Sequence, residues 1–332
     1  MKKDLLAPAN AQSEGVTTEW AGDNQQWWNW YMASADNDDN AKNDGDATPP
    51  NAAQTQPDSA ATIPTLDDLD SELNSPYPLA PDAIARFRRD GYVKLEAVLS
   101  PGALALLRAE MEASLVAELG EEPDLDFRSG EMMWLENDIF RRFVLSRRIA
   151  EIAAALLGVT RVRLYHDNAL AKEPGCGRTP WHYDADHFPI ASPNICTAWI
   201  PLQAVPRSMG PLAFAVGMET YRQVKSVGFN KFDTSYDRSV ADIFAEREVA
   251  IDDGPFALGE ISFHHSLSFH TAGPNHTSQS RMVLATTYFE DGARIVPAPT
   301  MISGDWRKFM PGVGAGELIQ SPHNPLCFAP DD

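Results

Sequence analysis

Trp181-His182-Tyr183-Asp184, a distant second histidine at His270, and Arg281 eleven residues beyond it leave this chain few architectures. Two imidazoles and one carboxylate on one face of a metal form the triad of non-haem Fe(II) oxygenases. That triad leaves positions open for a co-substrate and O2. The spacing asks for β-structure. On a strand, residues i and i+2 share a face. His182 and Asp184 then both aim into a barrel mouth, while Tyr183 points the other way. His270 must arrive there on another segment.

With 332 residues and 43% hydrophobic content, the chain can bury one large core or two modest ones. No apolar run reaches the roughly 18 residues needed to span a bilayer. The start, Met1-Lys2-Lys3-Asp4-Leu5-Leu6, has too short an apolar stretch for a secretory signal. Cys176, Cys196 and Cys327 are scattered and odd in number, which fits a cytoplasmic location better than a disulfide framework. No CxxC spacing offers a thiolate zinc site. The net charge is −20, and residues 1–75 hold 14 acidic against 3 basic residues. Such acidity repels nucleic-acid phosphates and anionic lipid. A small-molecule substrate is expected, with neither nucleic acid nor membrane as partner.

Residues 1–75 read as an acidic, largely low-complexity extension, and residues 76–332 as the folded domain. Residues 33–61 are rich in Asp, Asn, Ala, Pro and Gln and lack apolar periodicity. Just before them stand Trp20, Trp27, Trp28, Trp30 and Tyr31. Exposed tryptophans on a solvated tail would be costly, so this segment is expected to dock. Its place would be the domain's own surface or a sister subunit of a homo-oligomer. Alternatively it is an aromatic wall over the active site, suited to a cationic substrate, or it stays disordered.

Folding is expected to begin near Tyr77. Residues 80–90 read as a helix with Pro81 near its start and Gly91 as its stop. Residues 92–95 read as a strand. Residues 101–119 and 146–157 read as amphipathic helices stopped by Gly120 and Gly158. Then the pattern changes to short β-rich segments at 162–171, 196–202, 261–264 and 282–289, separated by Gly/Pro loops. Helices followed by serial strands predict a mainly β protein, an antiparallel jelly roll with flanking helices.

A bare His-any-Asp is common, but Pro180-Trp181 before it and Asp186-His187-Phe188-Pro189 after it set this one apart. His166-Asp167 competes, yet adjacent strand residues face opposite sides and cannot share one ion. The third ligand must come from His264, His265, His270 or His276. His270 ends an apolar run and precedes the turn Ala272-Gly273-Pro274-Asn275, which places it at a rim. Arg281 opens the next strand, and a guanidinium is the best bidentate partner for a carboxylate. Its bland alternative is a surface salt bridge. His264 and His265 read as histidines beside the site or on the surface, and His276 as a turn residue.

Together these residues resemble the phytanoyl-CoA dioxygenase family of Fe(II)/2-oxoglutarate oxygenases over about residues 77–328. The matching stretches are Phe87 with Asp90-Gly91-Tyr92-Val93, Leu164-Tyr165-His166-Asp167-Asn168-Ala169-Leu170-Ala171-Lys172, Trp181-His182-Tyr183-Asp184, Thr197-Ala198-Trp199-Ile200-Pro201-Leu202, Gly210-Pro211-Leu212, and His270 through Arg281. The resemblance implies a cupin-like double-stranded β-helix. It also implies Fe(II) on His182, Asp184 and His270, with 2-oxoglutarate and O2 as co-substrates and Arg281 on the far carboxylate of 2-oxoglutarate. Lys172 occupies the position of a family lysine near the co-substrate, and Trp199 matches an aromatic residue that lines that pocket. Many members carry Ser or Thr two residues after the distal histidine. Here Ala272 stands there, and Thr271 is the adjacent hydroxyl. Asn168, Trp181, Tyr183 and Phe188 are the candidate substrate contacts.

Related halogenases have a small residue at the position of Asp184. A carboxylate implies hydroxylation, or demethylation or desaturation begun by the same hydrogen abstraction, with release of succinate and CO2. Ala215-Val216-Gly217-Met218 replaces the usual Pro-Gly-Ser-His, so substrate identity does not transfer. Two other readings stay open. One is a cupin-like isomerase or ring-cleaving dioxygenase that does not use 2-oxoglutarate, which Arg281 argues against. The other is a non-catalytic binding module, which the intact triad argues against.

Overall fold

Alternating inward and outward side chains build the framework. The computed structural model describes residues 31–32, 61–119, 126–229, 234–299, 303–304 and 306–330. Trp20, Trp27, Trp28, Trp30 and most of the low-complexity stretch lie outside the described residues. The strands are β1 (Tyr92–Leu95), β2 (Phe127–Glu131), β3 (Val162–Lys172), β4 (Thr179–His182), β5 (Ile195–Pro201), β6 (Leu212–Ala215), β7 (Ile251–Asp252), β8 (Ile261–His265), β9 (His270–Ala272), β10 (Arg281–Glu290) and β11 (Leu326–Phe328). One sheet runs β1-β8-β5-β10-β3-β11, with β2 also paired to β3, and the other runs β4-β9-β6-β7. The pairings are antiparallel, as expected for a jelly roll.

Each long strand of the larger sheet has two apolar faces. Ala169, Ala171, Ala198, Ile200, Met282 and Leu284 pack outward against the helices. Leu170, Trp199, Val283 and Ala285 pack inward with Phe214 and Ala272 of the smaller sheet and Phe269 just before β9. Both faces are covered, so these strands read as nearly unbroken apolar runs.

The outer layer is helical: α1 (Leu66–Asn74), α2 (Pro81–Asp90), α3 (Pro101–Leu119), α4 (Asp138–Val144) and α5 (Arg147–Leu157). Helix α2 begins on Pro81 and stops at Gly91, whose φ of 89° suits a residue without Cβ. Along α3, Leu104, Leu107, Met111 and Leu115 form a buried stripe at helical spacing. Burying each contributes roughly 1.5–3 kcal/mol. Ser146 caps α5 and Gly158 ends it. Two further helices, α6 (Thr220–Val224) and α7 (Ser235–Glu246), lie between β6 and β7. Phe244 of α7 meets Trp181 edge-on at 5.3 Å. No described helix is long and apolar enough to cross a membrane.

Helix α1 starts the fold earlier than Tyr77. Its Leu69 and Leu73 join the main core, and Ser146 Oγ donates to Leu73 O at 2.9 Å. Only three leucines, Leu66, Leu69 and Leu73, set among acids, mark this helix in the sequence. That is too short a pattern to separate from the acidic stretch before it. Part of residues 1–75 therefore packs as core. Tyr31 and Met32 are buried as well, at 2% and 7% exposure.

Candidate active site

The smaller sheet sets the two histidines side by side. His182 closes β4, His270 opens β9, and the two are direct antiparallel partners. Their ring centroids are 4.2 Å apart. Strand β4 stops at His182, and Asp184 opens a 3-10 turn. Tyr183 between them stays extended, at φ −136° and ψ 145°, so the alternation carries one residue past the strand. Asp184 Oδ1 comes to 3.7 Å from His270 Nε2. One ligand atom from each of His182, Asp184 and His270 lies within 4.8 Å of the others.

Hydrogen bonding decides which nitrogens are offered. His182 Nδ1 donates to Pro180 O at 2.8 Å, and His270 Nδ1 donates to Ser268 O at 3.0 Å. A carbonyl only accepts, so each Nδ1 carries the proton and each Nε2 keeps its lone pair. Burial pushes both imidazoles toward the neutral form. Burial also pushes the Asp184 carboxyl up, but His270, His264 and His182 outweigh it and hold the group below the usual carboxylate range. Two neutral imidazoles and one carboxylate are the protonation states a metal needs. The donor set fits Fe(II).

Arg281 opens β10 inside the same cavity. It is 1% exposed. One Nη1 donates to Gly210 O at 2.6 Å, and the guanidinium lies 5.4 Å from the Trp199 ring centroid. Burial pushes its pKa down to about 10, so it stays charged at neutral pH. Among the described residues it forms no ion pair, and its Nε has no hydrogen-bond partner. A buried cation in that state is costly unless an anion joins it. The cavity that holds triad and arginine has an empty volume of ≈ 970 Å³, including its open mouth. Asn168, Phe188 and Trp199 line it, together with Met32, Leu170 and Phe309. Asn168 Oδ1 is buried there without a partner.

Four expected contacts fall elsewhere. Lys172 points into a ring of backbone carbonyls rather than the cavity: Nζ donates to Gly177 O and Gly273 O, both at 2.8 Å. Its donors fasten the loop after β9 and are not offered to a co-substrate. Thr271 faces out of the cavity, donating to Thr179 O and accepting from Arg178 Nη1 at 3.2 Å. Its neighbours His270 and Ala272 face in. Trp181 packs on Phe244, and Tyr183 packs on Phe269 at 4.8 Å. The same alternation that turns His182 and Asp184 inward turns Trp181 and Tyr183 outward, so neither lines the cavity.

Other residues complete the site, some of them left between alternatives by the sequence. His264 is 2% exposed and lies 3.3 Å from Asp184 Oδ2 through Nε2. Thr197 Oγ1 donates to that oxygen at 3.0 Å. Thr197 shares its face with Trp199, two residues on, which was a usable signal. For His264 the sequence left a place beside the site or on the surface, because the choice depends on which strand β8 pairs with. His265 is buried too, accepting from Leu267 N at 3.1 Å. Arg178 pairs with Asp237 of α7, and Asp237 Oδ1 accepts from Trp181 N at 2.6 Å. This clasp holds β4 beneath α7. Thr179 Oγ1 donates to Met32 O at 2.7 Å, and the Tyr31 ring stands edge-on to His182 at 6.2 Å.

Known proteins are similar to this chain. The family model described as phytanoyl-CoA dioxygenase (PhyH) matches residues 87–283. The probable alpha-ketoglutarate-dependent hypophosphite dioxygenase of Stutzerimonas stutzeri is 24% identical over 223 residues, covering 60% of this chain and 74% of that protein. The ectoine dioxygenase of Stutzerimonas stutzeri strain A1501 is 26% identical over 237 residues, covering 64% of this chain and 77% of that protein. Among solved structures, the epimerase SnoN in complex with Fe3+, alpha ketoglutarate and nogalamycin RO is 26% identical, with a TM-score of 0.60 over 74% of this chain and 97% of that one. The family match spans more than half of the chain, and it falls on the strands that carry the triad and Arg281. The chain belongs to the phytanoyl-CoA dioxygenase family and is a non-haem iron, 2-oxoglutarate-dependent dioxygenase.

Proposed function

We propose that this enzyme oxidises a C–H bond of a small molecule by hydroxylation, or by demethylation or desaturation begun at the same bond. Fe(II) is held by His182, Asp184 and His270, and Arg281 anchors 2-oxoglutarate. When bound, Fe(II) supplies O2 activation coupled to the oxidation of 2-oxoglutarate to succinate and CO2. In hydroxylation one oxygen atom of O2 enters succinate and the other enters the substrate. The chain's own residues supply position and dryness. Arg281 offers a bidentate, charge-assisted contact to the far carboxylate, and Trp199 flattens that side of the pocket. Phe188, Leu170 and Phe309 exclude water from the inner chamber. Asn168 Oδ1 offers an acceptor to a substrate hydroxyl or amine.

One observation carries this reading: a fully buried guanidinium without a carboxylate, lining the same cavity as the triad. A metal enzyme that ignored 2-oxoglutarate, or a binding module, would leave that charge unexplained. The named relatives differ in what they act on, so no substrate is carried over. The three free cysteines support a cytoplasmic location. The test is succinate release from 2-oxoglutarate, with Fe(II) and O2 added singly and together across a small-molecule panel. Succinate that depends on all three supports the reading. Substrate conversion without 2-oxoglutarate would replace it with the cupin-like alternative.

A further inference from the structure

The barrel treats the two oxygens of Asp184 differently. Oδ1 faces His270 Nε2 at 3.7 Å. Oδ2 accepts from Thr197 Oγ1 at 3.0 Å and lies 3.3 Å from His264 Nε2. These two donors come from adjacent strands, because Thr197 of β5 stands opposite His264 of β8. On its other side Thr197 stands opposite Thr287 of β10, whose hydroxyl is 3.0 Å away. Two members of one row across three strands therefore converge on a single carboxylate oxygen, and the third, Thr287, backs Thr197.

All members of the row are buried, with His264 at 2%, Thr287 at 2% and Thr197 at 6% exposure. His264 Nδ1 has no hydrogen-bond partner among the described residues. Phe214 and His270 flank the ring at 5.6 Å and 4.6 Å. A buried imidazole there costs desolvation that a phenyl ring would avoid. The contact that offsets the cost is the one to Asp184 Oδ2.

We propose that His264 and Thr197 are positioning residues that hold Oδ2 of Asp184 away from the metal, so that the carboxylate ligates through Oδ1 alone. The inference rests on the reading that His182, Asp184 and His270 hold Fe(II). A facial triad with one atom from each residue leaves three positions, two for a chelating 2-oxoglutarate and one for O2. A carboxylate free to turn could take a second position and compete with the co-substrate. Partners of this kind, one shell out from the metal, are worth 10–100-fold in affinity.

The test uses full-length protein and Co(II) as probe, titrated without oxygen and followed by visible absorption, then 2-oxoglutarate added to the Co(II)-loaded form. His264→Phe and Thr197→Val remove the donors while keeping shape. His264→Gln and Thr197→Ser keep a donor. We expect each of the first pair to weaken Co(II) binding on the order of tenfold or more and to alter the Co(II) spectrum. 2-Oxoglutarate affinity should fall in both, and the second pair should recover most of each effect. A purely structural role would lower thermal stability and leave the spectrum of the loaded protein unchanged. Folded His264→Phe and Thr197→Val proteins with wild-type Co(II) affinity and spectrum would overturn the inference. If His264→Phe does not fold, Thr197→Val decides alone. If the wild type binds Co(II) no better than His182→Ala, the metal-centre reading falls, and this inference falls with it.

Discussion

Arg281→Leu should separate two roles that a buried arginine usually combines, binding and stability. In the folded protein the guanidinium is 1% exposed, donating to Gly210 O at 2.6 Å and forming no ion pair among the described residues. A desolvated charge in that state stabilises little until an anion arrives. Truncating one partner of a buried, hydrogen-bonded charge pair costs about 2–5 kcal/mol of binding. At ~1.4 kcal/mol per tenfold, that is a loss of roughly 30-fold or more in 2-oxoglutarate affinity. The thermal midpoint of metal-free protein should hold or rise, because leucine has no charge to desolvate. Metal affinity should be unchanged, since no triad atom is touched. Calorimetric titration of 2-oxoglutarate into Co(II)-loaded protein and a melting curve of the metal-free form give both numbers. Wild-type 2-oxoglutarate affinity in Arg281→Leu would place the anchor elsewhere. A collapsed melting point would show that the arginine is chiefly a structural residue.

Other perturbations test other parts of the same design. His182→Ala, Asp184→Ala and His270→Ala should each abolish turnover and lose bound iron by metal analysis, whereas Thr271→Val should leave 2-oxoglutarate affinity near wild type. Gly210→Ala should cost several kcal/mol in denaturant melts, because φ is +72° and an added Cβ would sit 2.1 Å from Gly273 O; a wild-type melt would contradict the tight approach of those two loops. Asp167 is buried within β3, and burial pushes its carboxyl up to about 7 despite the hydrogen bond it accepts from Met133 N–H. The folded state therefore keeps a proton that the unfolded chain releases, so stability falls as pH rises from about 4 to 7, at up to ~1.4 kcal/mol per pH unit, and Asp167→Asn should flatten that slope. A truncation that starts at Thr65 should keep metal and 2-oxoglutarate binding, but remove Met32 from the cavity lining and Tyr31 from the His182 ring and raise succinate release without substrate; loss of metal would mean the extension is part of the barrel's core.

What could be read in advance follows the range over which each interaction acts. Local alternation is a two-residue rule, and it held from Trp181 through Asp184 although the strand ends at His182. The same rule, applied to its neighbours, also removes Trp181 and Tyr183 from the cavity. Helix stops at Gly91 and Gly158 were legible because a left-handed φ is a demand on one residue. Ladder partners are a different matter. Thr197, His264 and Thr287 meet because β5 lies between β8 and β10, and no local pattern in any of the three strands states that order. Lys172 makes the same point from the opposite side. Its position matched a co-substrate lysine, but the loop after β9 turns its carbonyls onto the ammonium first. A buried cation goes to the nearest fixed dipoles. Arg281, the direct partner of Lys172 across the ladder between β10 and β3, keeps most of its donors free for the cavity, and that difference in satisfaction marks which of the two cations waits for an anion.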